Sequence, residues 1–348
     1  MQLAAPFIKK PSEPCASSRS RRDFLANGCA VGAAAFLGLP RIAAAEPLPE
    51  IRKIRLARTA SICLSPQYVA EDLLRLEGFT EVEYPELPYT GGDELTVGHS
   101  DLTMDYVPAL IWKLDAGRSI VALAGIHPGC FAIIANERVK AIRELKGRKV
   151  AVSAFGSGDH VFLSSILAYV GIDPKKDIEW VLTKSVANNM QYFIEGRADA
   201  LIAFPPQPQK LLEMKLGHVI LDGTNDRPWS QYTCCVVAGT RSFVENYPVA
   251  TKRALRALLK ATDVCAQEPE RAARMVVARG FEPRYEIALD VLKEVPYRAW
   301  RETNPEDALR FHALRLHEAG MIKSSPQKLI VQGTDWRFLN ELKKELKA

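Results

Sequence analysis

The sequence predicts an α/β protein with parallel or mixed sheets that are covered by helices. Short apolar strands alternate with helices over residues 51–238, which is the pattern of such sheets. From Tyr247 onward the pattern changes to consecutive helices whose leucines recur at helical spacing. Residues 147–163 read as a strand, a glycine loop and a helix, so they place a tight turn and a helix start at one strand end.

The individual elements follow from local patterns. The first strand is predicted at residues 51–59, and the next helix begins at Ser65-Pro66, with serine as cap and proline at the first helical position. Further strands are predicted at residues 81–84, 120–124, 131–135, 178–182, 199–204, 218–221 and 233–238. Further helices are predicted at residues 107–115, 138–145, 188–195, 248–267, 270–279, 285–292, 305–319 and 334–346. His127, Pro128 and Gly129 are predicted to form a turn.

Polar and aromatic loops follow the predicted strands. In sheets of this kind, ligands bind beyond the carboxyl ends of the strands. The loops there are rich in small, polar and aromatic residues, as a shaped polar pocket requires: 60–64, 98–101, 127–129, 155–160, 204–206 and 229–232. The helix start after residues 156–158 exposes N–H groups that can hold an anion. Asp159 would either repel an anionic ligand or cap the helix, so the charge of the ligand is left open.

Composition bounds the class of protein. The chain has 348 residues, of which 47% are hydrophobic and 25% charged, as in soluble globular proteins. Residues 1–45 contain six basic and two acidic residues, so most of the net charge of +5 lies there. The rest of the chain is nearly neutral, which argues against a nucleic-acid surface.

The N-terminal segment has the layout of a secretory signal. Arg21 and Arg22 precede an apolar, alanine-rich run, and Ala43 to Ala45 offer small residues for cleavage. The paired arginines resemble a twin-arginine export signal, a route that carries folded cargo. We therefore expect residues 1–45 to be a signal peptide that is cleaved near Ala45. The mature chain is then periplasmic.

The cysteines do not form a recognisable pattern. Five follow residue 45: Cys63, Cys130, Cys234, Cys235 and Cys265. Their odd number and spacing favour neither a disulfide framework nor a metal motif. Cys234 and Cys235 lie in an apolar run and are expected to pack as core strand. The sequence therefore predicts no metal site, no cofactor and no essential disulfide, and it shows no catalytic Ser/His/Asp or paired-carboxylate motif.

Four segments carry a family resemblance. They are SPQYVA at residues 65–70, VGHSD at 97–101, ELKGRKVA at 144–151 before the glycine loop, and EGRADA at 195–200. In this order, behind an export signal, the sequence resembles the solute-binding proteins of ABC importers. The group in question includes nitrate, sulfonate and taurine binders and their thiamine-precursor relatives.

The resemblance implies a two-lobed, type II periplasmic-binding-protein fold with a ligand cleft between the lobes. Lobe 1 would comprise residues 46–136 and 234–348, and lobe 2 residues 137–233, with crossings near residues 130–136 and 234–238. Carried onto the loops of this chain, it predicts ligand contacts from Ser61, Cys63, His99, Ser100, His127, Ser157, Gly158, His160, Phe204 and Tyr232.

The function implied is that of an extracytoplasmic, non-enzymatic binding component. It would capture a small organic solute and deliver it to an ABC transporter permease at the membrane, as a monomer without nucleic-acid partners. Two alternatives stay open. One is an enzyme on the same fold, similar to the pyrimidine-precursor synthases, and the other is a ligand sensor that reports to a membrane receptor.

Overall fold

The computed structural model describes residues 46–59, 61–85, 95 and 98–347. The predicted signal peptide lies outside these residues. Within them, residues from Leu48 onward form one compact unit, whose buried apolar residues form one large and two smaller core clusters. No helix of this part is long and apolar enough to cross a membrane.

Over the residues that the structure describes, ten strands alternate with helices, as the sequence pattern predicts. The strands are β1 (Lys53–Arg55), β2 (Glu81–Glu83), β3 (Leu102–Tyr106), β4 (Ile120–Pro128), β5 (Ala132–Ala135), β6 (Lys149–Val152), β7 (Glu179–Leu182), β8 (Ala200–Ala203), β9 (His218–Asp222) and β10 (Thr233–Thr240). The helices before residue 240 are α1 (Ser65–Val69), α2 (Glu71–Leu76), α3 (Val107–Asp115), α4 (Gly158–Tyr169), α5 (Val186–Ile194) and α6 (Gln207–Glu213). The later helices are α7 (Arg241–Asn246), α8 (Pro248–Gln267), α9 (Pro269–Ala278), α10 (Tyr285–Glu294), α11 (Pro305–Glu318), α12 (Pro326–Gly333) and α13 (Arg337–Glu345).

The strands form two groups. In the first, β10 lies between β3 and β4, and a parallel bridge from Leu56 to Leu102 adds the β1–β2 pair beside β3. We call this group the first sheet. The second sheet has the order β7-β6-β8-β5-β9, with β6 parallel to both neighbours and β5 antiparallel to β8 and β9.

The chain passes between the sheets twice. It leaves the first sheet after Pro128 and enters the second at Ala132, and it returns between Asp222 and Thr233. The strand β5 therefore pairs in the second sheet, although the predicted lobe boundaries assign residues 132–135 to lobe 1. The lobe boundaries themselves remain a prediction.

Two local predictions are wrong. His127 and Pro128 are not in a turn but end β4, where His127 lies opposite Cys235 of β10. Pro128 is tolerated there because β4 is an edge strand and its pairing with β10 is bulged at this end. Residues 138–145 form only a short 3-10 turn at Ile142–Leu145, because the Glu144 carboxylate accepts the Lys140 N–H and closes a local turn instead.

Candidate functional site

Loops from both sheets meet at a buried interface. It includes Ser61, Tyr106, Phe204 and Pro205, and we call it the seam. Ser61, after β1, donates its hydroxyl to the carbonyl of Pro205, which follows β8, over 3.1 Å. The Ile62 N–H donates to the same carbonyl over 3.0 Å. The carboxyl ends of strands from the two sheets thus face each other, as expected for a ligand site in this class of fold.

Tyr106 contacts loops of both sheets at the seam. Its hydroxyl donates to the Ser61 hydroxyl over 3.0 Å, and its ring stacks on Phe204 with centroids 4.1 Å apart. Burial raises the pKa of Tyr106 well above its usual value, so the hydroxyl stays a donor. Phe131 and Phe162 surround Phe204 at 6.5 and 5.7 Å. The seam is therefore largely aromatic, with few polar groups.

The start of α4 carries a buried carboxylate of the chain itself, that of Asp159. The Asp159 carboxylate turns inward and accepts the Ser153 N–H at 2.7 Å, the Ser153 hydroxyl at 2.7 Å and the Asn189 amide at 2.6 Å. It also contacts the Ser157 hydroxyl. An anion at this helix start would therefore meet a buried acidic group of the chain itself, and the charge of the ligand remains a prediction.

Replacing Asp159 should destabilise the protein measurably. In Asp159→Asn, an amide NH2 would face the donors Ser153 and Asn189, so at least one buried donor loses its acceptor. We expect a loss of about 2 kcal/mol in the free energy of unfolding, measured by urea denaturation. The control Asp72→Asn, with a side chain 67% exposed, should change stability by less than about 0.5 kcal/mol. Equal effects of the two substitutions would contradict the network.

The remaining predicted residues divide between the seam and other places. Gly158 begins α4 and an added Cβ would lie 3.8 Å from the Tyr106 ring, so it borders the seam. His160 is buried and accepts the Gly156 N–H at Nδ1 over 3.1 Å. Tyr232 stacks on Phe311 of α11 with centroids 4.3 Å apart. His99 is exposed, whereas Ser100 is buried and its hydroxyl has no hydrogen-bond partner among the described residues.

A cluster of three thiols and an imidazole lies beside the seam. Cys63, His127, Cys130 and Cys235 each offer a ligand atom, and these atoms lie within 4.8 Å of one another. All four are buried, and no described cysteine is in a disulfide. We call this group the Cys3His cluster. Sequence reasoning predicted Cys63 and His127 as site residues but missed the cluster, because its members come from three separate stretches of the chain, at residues 63, 127–130 and 235.

Electrostatics favour charge separation within the cluster. Burial opposes ionisation of Cys63, but hydrogen bonds from Cys130 and Cys235 outweigh it and lower the pKa of Cys63 well below its usual value. Burial likewise lowers the pKa of His127, yet the contact with Cys63 overcomes this and leaves the pKa raised. A group of this kind can bind a soft metal ion or supply a thiolate nucleophile.

Comparisons with known proteins show what the chain is similar to. A sequence model of the NMT1-like family matches residues 131–279, from the first crossing into α9.

Over these residues the chain is similar to the NMT1-like family.

The match confirms the resemblance that the sequence carries. No curated protein is significantly similar to the chain in sequence.

Solved structures share the fold over 81% to 86% of the chain. The periplasmic nitrate-binding protein NrtA from Synechocystis PCC 6803 is 17% identical, with a TM-score of 0.72 over 86% of this chain and 90% of that one. The alkanesulfonate-binding protein SsuA from Xanthomonas axonopodis pv. citri, bound to MOPS, is 17% identical, with a TM-score of 0.64 over 81% and 96%. The desulfurization enzyme DSZB is 13% identical, with a TM-score of 0.56 over 85% and 100%. The predicted periplasmic-binding-protein fold is confirmed.

Proposed function

We propose that the protein is the extracytoplasmic solute-binding component of an ABC transporter, which captures a small organic solute between the two sheets. The observation that carries this proposal is the seam itself. There, the loops after β1 and β8 meet through Ser61 and Pro205, and Tyr106 stacks on Phe204. The nitrate- and sulfonate-binding proteins that share the fold support the same role.

The solute should carry a planar or apolar part. Four aromatic rings meet at the seam, and rings of this kind suit a planar or apolar ligand group better than bare nitrate. The inward-facing Asp159 carboxylate also disfavours an anion at the start of α4. A neutral or amine-bearing organic solute therefore fits this seam better than a small inorganic anion.

Delivery to a membrane permease from the periplasm, as a monomer, completes the proposal. Binding proteins of this fold close around their ligands by hinge motion, and the two chain crossings would form the hinge. The predicted leader would bring the protein to that compartment. Loss of uptake in a deletion strain supports the transport role, whereas loss of a signalling response with normal uptake would favour the sensor.

A cysteine-dependent enzyme on the same fold is the second candidate. The contact between Cys63 and His127 favours it, and so does the fold shared with DSZB. However, Cys63 and His127 are both 0% exposed, and a nucleophile must reach its substrate. Turnover of a bound solute by the wild type, abolished in Cys63→Ser, would establish the enzyme.

The seam predicts a specific loss of ligand affinity. A panel of taurine, alkanesulfonates, aromatic acids and pyrimidines is screened by thermal shift, since a ligand at 100 times its Kd adds about 2.7 kcal/mol of stability. Phe204→Leu should weaken the responding ligand roughly tenfold, because the stacked ring is lost.

The matched control is Phe338→Leu. Phe204 and Phe338 are both 5% exposed, but Phe338 lies in α13, outside the seam. Phe338→Leu should lower the melting temperature of the protein without changing its affinity for the ligand. Equal loss of affinity in the two variants would contradict a binding site at the seam.

A further inference from the structure

The Cys3His cluster combines donors that the fold brings together from separate segments. Cys63 lies in the 3-10 turn after β1, and Cys130 lies in the first crossing. His127 of β4 and Cys235 of β10 are direct neighbours across the first sheet. Their exposed fractions are between 0% and 3%, so the donors are shielded from solvent.

The distances fit a tetrahedral ion. In a tetrahedral site with Zn–S bonds of about 2.3 Å, two sulfur ligands lie about 3.8 Å apart. The Sγ atoms of Cys130 and Cys235 are 3.9 Å apart. Because no donor pair of the cluster exceeds 4.8 Å, closing around an ion requires inward shifts of at most about 1 Å.

The imidazole is oriented as a metal ligand. Nδ1 of His127 lies 3.1 Å from the Pro128 carbonyl, a contact that would fix the proton on Nδ1. Nε2 lies 3.1 Å from the Cys63 carbonyl, which can only accept, so an ion bound at Nε2 would replace that contact. The Cys63 carbonyl would then keep the Tyr297 hydroxyl as its donor, over 3.0 Å.

The backbone at Cys130 gives a second, independent observation. Its φ is +82°, a left-handed conformation that residues with a side chain adopt rarely. Such conformations cost about 1–3 kcal/mol and are typical of functional sites. Glycine would be the favoured residue there, yet a cysteine occupies the position with its thiol in the cluster.

We propose that the Cys3His cluster is a binding site for Zn²⁺, with Cys63, Cys130, Cys235 and His127 as its four ligands. Three thiolates and one imidazole are a common ligand set of zinc sites in proteins. The ion would replace the thiol protons, and it would fix the first crossing to the first sheet through Cys130. Zinc binding does not depend on the proposed solute-binding role, because the two are tested with different probes.

The test uses the full chain after reduction with a non-chelating phosphine. Zn²⁺ is added alone, and native mass spectrometry measures the stoichiometry. Co²⁺ then replaces zinc, because thiolate-to-cobalt charge-transfer bands and tetrahedral d–d bands report the ligands directly. We expect one ion per chain and a tetrahedral, sulfur-rich cobalt spectrum.

Three variants locate the site. Cys235→Ser removes a ligand and should weaken Zn²⁺ binding by more than the roughly 10- to 100-fold that the loss of an outer-shell partner costs. Cys130→Gly should weaken it as much without lowering the melting temperature of the metal-free protein, because glycine relieves the strained φ. The matched control is Cys265→Ser, which changes another fully buried free thiol, located in α8 and outside the cluster. It should bind zinc as the wild type does.

Several results would overturn the proposal. They are the absence of stoichiometric zinc in the reduced protein, binding that Cys130→Gly leaves unchanged, and a cobalt spectrum without sulfur bands. Cys130 and Cys234 have Sγ atoms 3.4 Å apart, so a disulfide between them is the competing chemistry. If reduction of that disulfide does not restore zinc binding, the proposal fails as well. A protein that binds zinc but no solute would refute the proposed function and leave the zinc site standing.

Discussion

Lowering the pH from 7 to 5 should reduce the free energy of unfolding by about 4 kcal/mol through two buried histidines. Burial lowers the pKa of His160 to about 4 and that of His312 to about 3. His160 accepts the Gly156 N–H, and His312 lies 3.0 Å from the Ser165 hydroxyl, so both are held in the neutral form. The unfolded chain takes up their protons near pH 6.5, whereas the folded protein does not. Stability is therefore lost as the pH falls through this window.

The measurement is urea denaturation at pH 7 and at pH 5. Each histidine should account for about 2 kcal/mol of the difference, so His312→Asn should make the loss smaller by that amount. His317→Asn, which changes an exposed histidine of the same helix, is the matched control and should leave the pH dependence as it is in the wild type. An unchanged pH dependence in His312→Asn would contradict a neutral, buried His312.

Replacing Glu77 by glutamine should cost about 3 kcal/mol, because its buried carboxylate joins α2 to α8. Both oxygens accept from Arg256, at 2.8 and 2.7 Å, and Lys260 lies 3.5 Å away. Burial raises the pKa of Glu77, but the hydrogen bonds and charge of Arg256 outweigh it, so the pKa is lowered. This contribution is present above the unfolded pKa of about 4.3 and is lost as the pH falls below it.

The control for Glu77 is the exposed pair of Lys53 and Glu83. Its atoms are 2.7 Å apart, but the side chains are 48% and 47% exposed. Glu83→Gln should therefore change the free energy of unfolding by less than about 1 kcal/mol. If Glu77→Gln were as mild as Glu83→Gln in thermal and urea unfolding, the ion cluster would not hold α2 to α8.

Local signals predicted the long elements well. The helix at residues 248–267 has the predicted bounds, because Pro248 fixes its start and Leu255, Leu258 and Leu259 face the core. The helix at residues 107–115 likewise matches. In contrast, β3 was not predicted, although Leu102, Met104 and Tyr106 alternate with Thr103 and Asp105. That alternation was a usable signal, and it would have placed Tyr106 at a strand end.

The site could be predicted only in part, because its decisive contacts are between distant segments. Loop positions placed Ser61 and Phe204 near strand ends, but the sequence contains no sign that both meet Tyr106. The Cys3His cluster is even harder to predict from the sequence. Its spacing matches no metal motif, and only the pairing of β4 with β10 sets His127 beside Cys235. Such proximity depends on strand order and register, which a single sequence does not fix.

The most direct test of the central claim is native mass spectrometry of the full chain after incubation with a small-molecule extract of its host. The account predicts one small organic molecule per chain, with a reduced bound fraction in Phe204→Leu and an unchanged fraction in Phe338→Leu. A protein that stays without any bound molecule would contradict a solute-binding role. So would a molecule retained equally by both variants.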